Sequence, residues 1–225
     1  MKQFSHVEGV PNLPKIIRED TDHGRYYHTP TGKKYPSITT ILGYFKSQGL
    51  LNWRKRVGEE KANAILHRAG IRGTKLHNLI EKYLRNEPDL FKGIMPDMKT
   101  MFLDMRKHLD KIDNIQYIEC PLYSDVLGTA GTADTVGRFD RVLSIIDYKS
   151  SLKEKKEEYI TNYFEQATGY AIMYEERTNI PIDQIVIMIG CDNSNDPQIF
   201  VKQKKDYIES LNHKIRAYKE ANDVL

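Results

Sequence analysis

The sequence predicts an α/β or α+β protein, one sheet flanked by helices, and three observations predict it. Met98, Met101, Phe102, Met105 and Leu109 recur at the helical period, and similar amphipathic stretches lie upstream. From Ile115 the texture changes to short β-like runs, "IQYIECPLYS", "GTADTVGRFD" and "VLSIIDYKS", with turn chemistry between them. A long helical pattern then separates these runs from two more strands, "QIVIMIG" and "QIFVKQ".

The elements follow in order. The opening residues read as an arm. "RYYHTPTGKKYPS" reads as a hairpin with Pro30 to Gly32 in the turn. Ser37 is placed to cap a helix through Phe45, which "SQG" then breaks. "LLNWRKRVGEEKANAILHRAG" follows as one or two helices interrupted near Gly58. Gly73–Arg85 forms an amphipathic helix with Leu76, Leu79, Ile80 and Tyr83 on one face. The Met-rich helix after it has the stripe of a packed core. The three β-like runs form an antiparallel meander. The next helix aligns Tyr159, Tyr163, Ala167, Tyr170 and Tyr174, and a last amphipathic helix covers Lys205 to Val224. There is no internal repeat.

The 225 residues fit one domain, and 40% hydrophobic with 29% charged residues describes a soluble globular chain. No stretch approaches the roughly 20 apolar residues of a membrane helix. The first 25 residues have neither an apolar signal core nor an Arg-rich transit pattern, so no targeting segment and no membrane partner is expected. Only two cysteines, Cys120 and Cys191, argue against a disulfide scaffold and against a cysteine-held iron–sulfur cluster, and fit a reducing, cytoplasmic setting. A net charge of +3 names no partner by itself. Its distribution says more: Lys46 to Lys75 holds eight Lys/Arg against Glu59 and Glu60, either a phosphate-binding surface or a solvated helical face.

The chemistry centres on "VLSIIDYKSS". An apolar run ends in Asp147 and Lys149, which lie at i and i+2 of a strand and so point to one side of the sheet. Asp/Glu-x-Lys triplets are cheap, and Glu59–Lys61, Asp97–Lys99 and Glu154–Lys156 also match. Only Asp147–Lys149 ends a buried strand, and it follows a strand carrying Asp134 among small residues that allow close approach. Two acids converging from a hairpin repel, and a divalent cation resolves that. Mg²⁺ or Mn²⁺ on Asp134, Asp147 and the Tyr148 carbonyl, with Lys149 orienting water and stabilising charge, is what phosphodiester hydrolysis requires. The competing reading is a structural Asp–Lys pair with Asp134 on a turn.

Other positions add to the set. His77 and Glu81 are i, i+4 on a helix flank, where His77 is either structural or a ligand for a Mn²⁺-type metal. Gln166 and Tyr170 are i, i+4 on the later helix and suit a nucleotide's phosphate or base, or else a polar position beside a tyrosine stripe. Glu119, on the strand before Asp134, is either a further acid near the metal or an exposed strand residue. Trp53, Tyr44 and Phe45, beside Arg54 to Arg56, offer stacking with phosphate contacts, or core packing for Trp53.

"GTADTVG…SIIDYKSS", with "RGTKLH" upstream and "QATGY" downstream, resembles the RecB-like branch of the PD-(D/E)XK nucleases. "YPSITTIL…LLNWRKRVGEEKA…RGTKLHNLIEKYL" resembles the mitochondrial genome maintenance exonuclease type and its phage and bacterial relatives. The resemblance covers about Tyr26 to Tyr174. It implies a single restriction-endonuclease-like domain over 1–225, with a helical region at about 37–85 shaping the DNA path and a catalytic sheet core at about 115–200. It implies His77, Asp134, Asp147 and the Tyr148 carbonyl as metal ligands and Lys149 as the catalytic lysine. Gln166 and Tyr170 form the motif that follows, and Arg54, Arg56, Arg72 and Lys75 are the cations expected on DNA. Two departures stand out: Ala133 replaces the usual Pro before the first acid, and relatives often have Glu where Asp147 stands. The expected activity is Mg²⁺/Mn²⁺-dependent exonuclease action on single-stranded DNA ends. Its rivals are a structure-specific endonuclease on the same core and a non-catalytic nucleic-acid-binding module.

Overall fold

The computed structural model describes residues 2–45, 48–194 and 196–222. The opening segment is more than an arm. It contains strand β1 (Ile17–Thr21), which pairs antiparallel with β2 (Gly24–His28), and β2 with β3 (Lys34–Pro36), in a small three-stranded sheet. The expected hairpin is its second half. Ahead of β1 the chain is pinned to the main sheet: Val7 N donates to Ile115 O, Ile115 N donates to Ser5 O, and Phe4 is buried.

Ser37 caps α1 (Ile38–Tyr44), its hydroxyl accepting from Thr40 N. The "SQG" break is shifted: Ser47, like Lys46 of the basic run, lies outside the described residues, and Gln48 and Gly49 open α2 (Gln48–Val57). Gly58, at φ 87, ends that helix as expected, since only glycine takes this conformation cheaply. α3 (Glu59–Leu84) then runs 26 residues without a break. Gly70 and Gly73 do not interrupt it, contrary to the separate Gly73–Arg85 helix expected. Its buried end, Leu76, Leu79, Ile80, Tyr83 and Leu84, outweighs the roughly 1 kcal/mol that each glycine costs. α4 (Pro96–Leu109) buries Met98, Met101, Phe102, Met105 and Leu109, the predicted stripe.

The main sheet has five strands in the order β4 (Ile112–Ser124), β5 (Thr129–Phe139), β6 (Val142–Ser151), β7 (Gln184–Cys191), β8 (Gln198–Gln203). β4, β5 and β6 form the predicted meander. β7 lies parallel to β6, reached through α5 (Thr161–Thr178), and β8 returns antiparallel, making the sheet mixed. Tyr159 falls outside α5, in a short 3₁₀ turn, and is 71% exposed, so it is not part of the tyrosine stripe. α6 (Ile208–Ala221) starts three residues later than expected, and Val224 lies outside the described residues.

Helices cover both faces. Ile145, Ile185, Ile187 and Ile189 face α1, α5 and α6, and Ile146, Val186 and Met188 face α3 and α4. That period-two alternation on β6 and β7 explains why both strands read as continuous apolar runs. Asp147 and Lys149 share parity with Ile145. The β5–β6 ladder pairs Thr135 with Ile146 and goes no further, although both strands continue. The next residues on the two strands are Asp134 and Asp147. Among the described residues no helix is long and apolar enough to cross a membrane.

Candidate active site

The acids gather where the β5–β6 ladder stops. The Asp134 carboxylate accepts a 2.8 Å hydrogen bond from the Tyr148 amide. The same oxygen lies 3.4 Å from His77 Nδ1, brought in by the buried end of α3. Glu119 joins from β4, in register opposite Asp134 between the pairs Ile118–Thr135 and Cys120–Ala133. Its φ of 55 is unusual for a residue other than glycine, and such strain collects at functional sites. Ligand atoms of His77, Glu119 and Asp134 all lie within 4.8 Å of one another.

Asp147 is only 1% exposed and outside that trio. Its Oδ2 touches the Lys149 ammonium as an ion pair. Tyr148 buries its ring on the α3 side, edge-on to His77, with its hydroxyl donating to Thr135 Oγ1 at 3.0 Å. Glu81 accepts from Arg85 Nε at 3.0 Å and lines the same small recess as His77, Glu119 and Asp134.

Electrostatics follow from this crowding. For Asp134, burial opposes ionisation, but the charge and hydrogen bond of His77 hold the carboxyl below its usual range. Burial pulls the His77 imidazole down, and Asp134 more than reverses this, leaving it at about 9. Burial raises Asp147 to about 6, with the Lys149 charge opposing and the Asp134 charge adding. Lys149 is lowered by burial and raised further by Asp147 and Asp134, for a net rise. Loss of solvent around its carboxyl, then the charges of Asp134 and Glu81, push Glu119 up to about 7, although the residue as a whole is exposed.

The donor set fits a divalent cation. One imidazole and two carboxylates lie close enough to share an ion, and the buried Asp147 carboxylate, paired with Lys149, stands on the next strand. The positive charge that balances Asp134 and Asp147 is otherwise supplied by protonated His77 and by Lys149. Mn²⁺ and Mg²⁺ both accept carboxylate oxygen, and the imidazole leans toward Mn²⁺.

The expected substrate contacts are dispersed. Gln166 Nε2 donates to the Tyr170 hydroxyl at 3.1 Å, and Tyr170 is buried at 3% exposure. A Cβ at Gly131 would stand 2.7 Å from Tyr170 Cε1, so this glycine admits the ring to β5. Placed so, Tyr170 is braced against the strand and has no free face for a base. Arg72 bridges Asp97, at 2.9 Å, and Asp192, so its charge is spent within the fold. Arg54 pairs with Glu59 and Asn63 across the α2–α3 joint. Arg56 and Lys75 are exposed, and Lys75 lies two residues before His77. Trp53 is half-buried and belongs to none of the buried core clusters. Sequence reasoning gave Arg68 no role of its own. It is exposed, has no ion pair among the described residues, and lines with Lys75, Ser150 and Ser151 a groove of about 510 Å³ between α3 and the end of β6. No protein-family model matches the chain, and no curated protein matches it.

Proposed function

We propose that the protein is a Mg²⁺/Mn²⁺-dependent deoxyribonuclease of the PD-(D/E)XK type with a restriction-endonuclease-like core, related to the RecB-like branch, acting as an exonuclease on single-stranded DNA. One observation carries the reading: His77, Glu119 and Asp134 converge within 4.8 Å beside the Asp147–Lys149 pair, at the end of a buried strand. The mixed sheet with helices on both faces is compatible with it.

His77, Glu119 and Asp134 would hold the cation; Asp147, expected from the sequence as a ligand, lies outside that trio and pairs with Lys149 beside it. When bound, the cation would supply Lewis acidity toward the phosphate and lower the pKa of a water. Lys149 remains charged at neutral pH and offers its ammonium to the negative charge that grows on the phosphate as water adds and the P–O bond breaks. The groove beside Ser150 and Ser151, of about 510 Å³, has room for about one or two nucleotides. Arg68 and Lys75 face phosphates there, and Ile71, Met95 and Leu152 present apolar surface to bases.

The test uses linear single-stranded DNA labelled at either end, a circular single strand, and Mn²⁺ or Mg²⁺. Linear DNA should be degraded and the circle spared. Lys149→Ala should lose about 10²–10³ in rate, as removal of one preorganised charge-stabilising group does. Asp147→Asn should do no better. Cutting of the circle would mean an endonuclease. Binding without metal-dependent hydrolysis would leave a nucleic-acid-binding module.

A further inference from the structure

Lys149 has a second partner that the reaction chemistry does not name. Its Nζ lies 5.3 Å from the centroid of the Tyr163 ring, which belongs to α5 rather than to the strand that carries Asp147. Tyr163 sits in the first turn of α5, three residues before Gln166 and seven before Tyr170, so the three share one stripe of that helix. The ring is half-buried and packs on the core beneath α5. Its hydroxyl has no hydrogen-bond partner among the described residues. What Tyr163 contributes is therefore its aromatic face.

We propose that Tyr163 is a positioning residue for Lys149, its ring face holding the ammonium where charge develops on the phosphate. The role rests on the nuclease reading; the contact does not. A lysine ends in a point charge on a flexible four-carbon stem, and one partner on its own strand leaves the stem free to swing. An anchor from a different element removes that freedom before the substrate arrives. The ring quadrupole attracts an ammonium most where water is scarce, and only 20% of the Lys149 side chain is exposed. The ring also holds when the Asp147 charge is shared with another cation, because its attraction does not depend on that carboxylate.

The full chain, ¹³C-labelled at lysine and free of metal, provides a readout independent of catalysis. The Lys149 Cε–Hε signal, assigned by its loss in Lys149→Ala, should be shifted upfield by the ring in the wild type and in Tyr163→Phe, and should return toward the ordinary lysine position in Tyr163→Leu. With Mn²⁺ and single-stranded DNA, Tyr163→Phe should keep kcat within about twofold. Tyr163→Leu should lower kcat about tenfold at unchanged KM, the scale of a desolvated cation–π contact. Tyr163→Met repeats the comparison should Tyr163→Leu not fold. The absence of an upfield shift in the wild type overturns the proposal, as does a wild-type kcat in Tyr163→Leu. Equal losses in Tyr163→Phe and Tyr163→Leu overturn it as well, by transferring the role to the hydroxyl. A ring-shifted Lys149 in a wild type that hydrolyses nothing overturns the nuclease reading, and with it the purpose assigned to the contact.

Discussion

Raising the pH should tighten Mn²⁺ binding, because the proposed ligands hold protons that a cation must displace. The imidazole of His77 stands at about 9. At pH 7 it lies two units below its pKa, so freeing its lone pair costs about 2.7 kcal/mol, at about 1.36 kcal/mol per unit. The apparent association constant should therefore rise about tenfold per pH unit up to about 9, or about thirtyfold from pH 7.0 to 8.5. Glu119, at about 7, adds a second proton below neutrality and steepens the slope there. Stability of the metal-free protein should move the opposite way. A histidine raised from 6.5 to about 9 contributes stability that is complete below pH 6.5 and lost on the way to 9. Calorimetric titration with Mn²⁺ in two buffers of different ionisation enthalpy counts the protons. About one should be released at pH 8 and between one and two at pH 6.5. His77→Ala should bind more weakly at pH 8.5 and lose the slope above pH 7. Proton release near zero at pH 7.5, or an unchanged slope in His77→Ala, would refute His77 as a ligand.

Three further outcomes follow from the packing, the groove and the Arg72 bridge. Gly131→Ala should destabilise by about 1–3 kcal/mol, because the new Cβ meets the buried Tyr170 ring at 2.7 Å. Gly190→Ala, whose Cβ meets the flexible Met101 side chain at 2.8 Å, should cost less, and thermal melts rank the two. Lys75→Ala and Arg68→Ala should each reduce the salt dependence of single-strand binding, by about 0.7 in the slope of log K against log salt. Arg72→Ala should instead lower the melting temperature, since it breaks the bridge to Asp97 and Asp192.

The fold was legible where one period governed a segment. The α4 stripe is buried as its spacing predicts, and the meander is there because turn residues bound each strand. Boundaries failed where tertiary contacts outvoted local preference. Gly70 and Gly73 look like a stop in "HRAGIRGTK", yet α3 passes through them because its last two turns are anchored in the core. β1 was missed because "IREDT" has no apolar alternation. It is an edge strand held by pairing with β2, and its side chains are mostly exposed.

At the candidate site the same division holds. Strand parity alone places Asp147 with Lys149, and hairpin register places Asp134 beside them, so those three could be named from residue types. The rank of Glu119 could not. It depends on register across β4 and β5 and on a left-handed backbone at Glu119 itself, which no glutamate prefers and which the pairs on either side impose. Charge counting fails in the opposite direction. Arg54, Arg72 and Lys75 are equivalent in a tally, but the fold spends the first two on internal carboxylates and leaves the third at the groove. The deciding fact is where the β5–β6 ladder ends. While two strands pair, their amides face each other; past Thr135 and Ile146 the Tyr148 amide turns to a side chain, the carboxylate of Asp134. A site at such a parting draws its acids from separate strands and its imidazole from a helix. His77 therefore lies 42 residues from Glu119, and Glu119 15 from Asp134, and only the folded sheet and α3 bring the three side chains together.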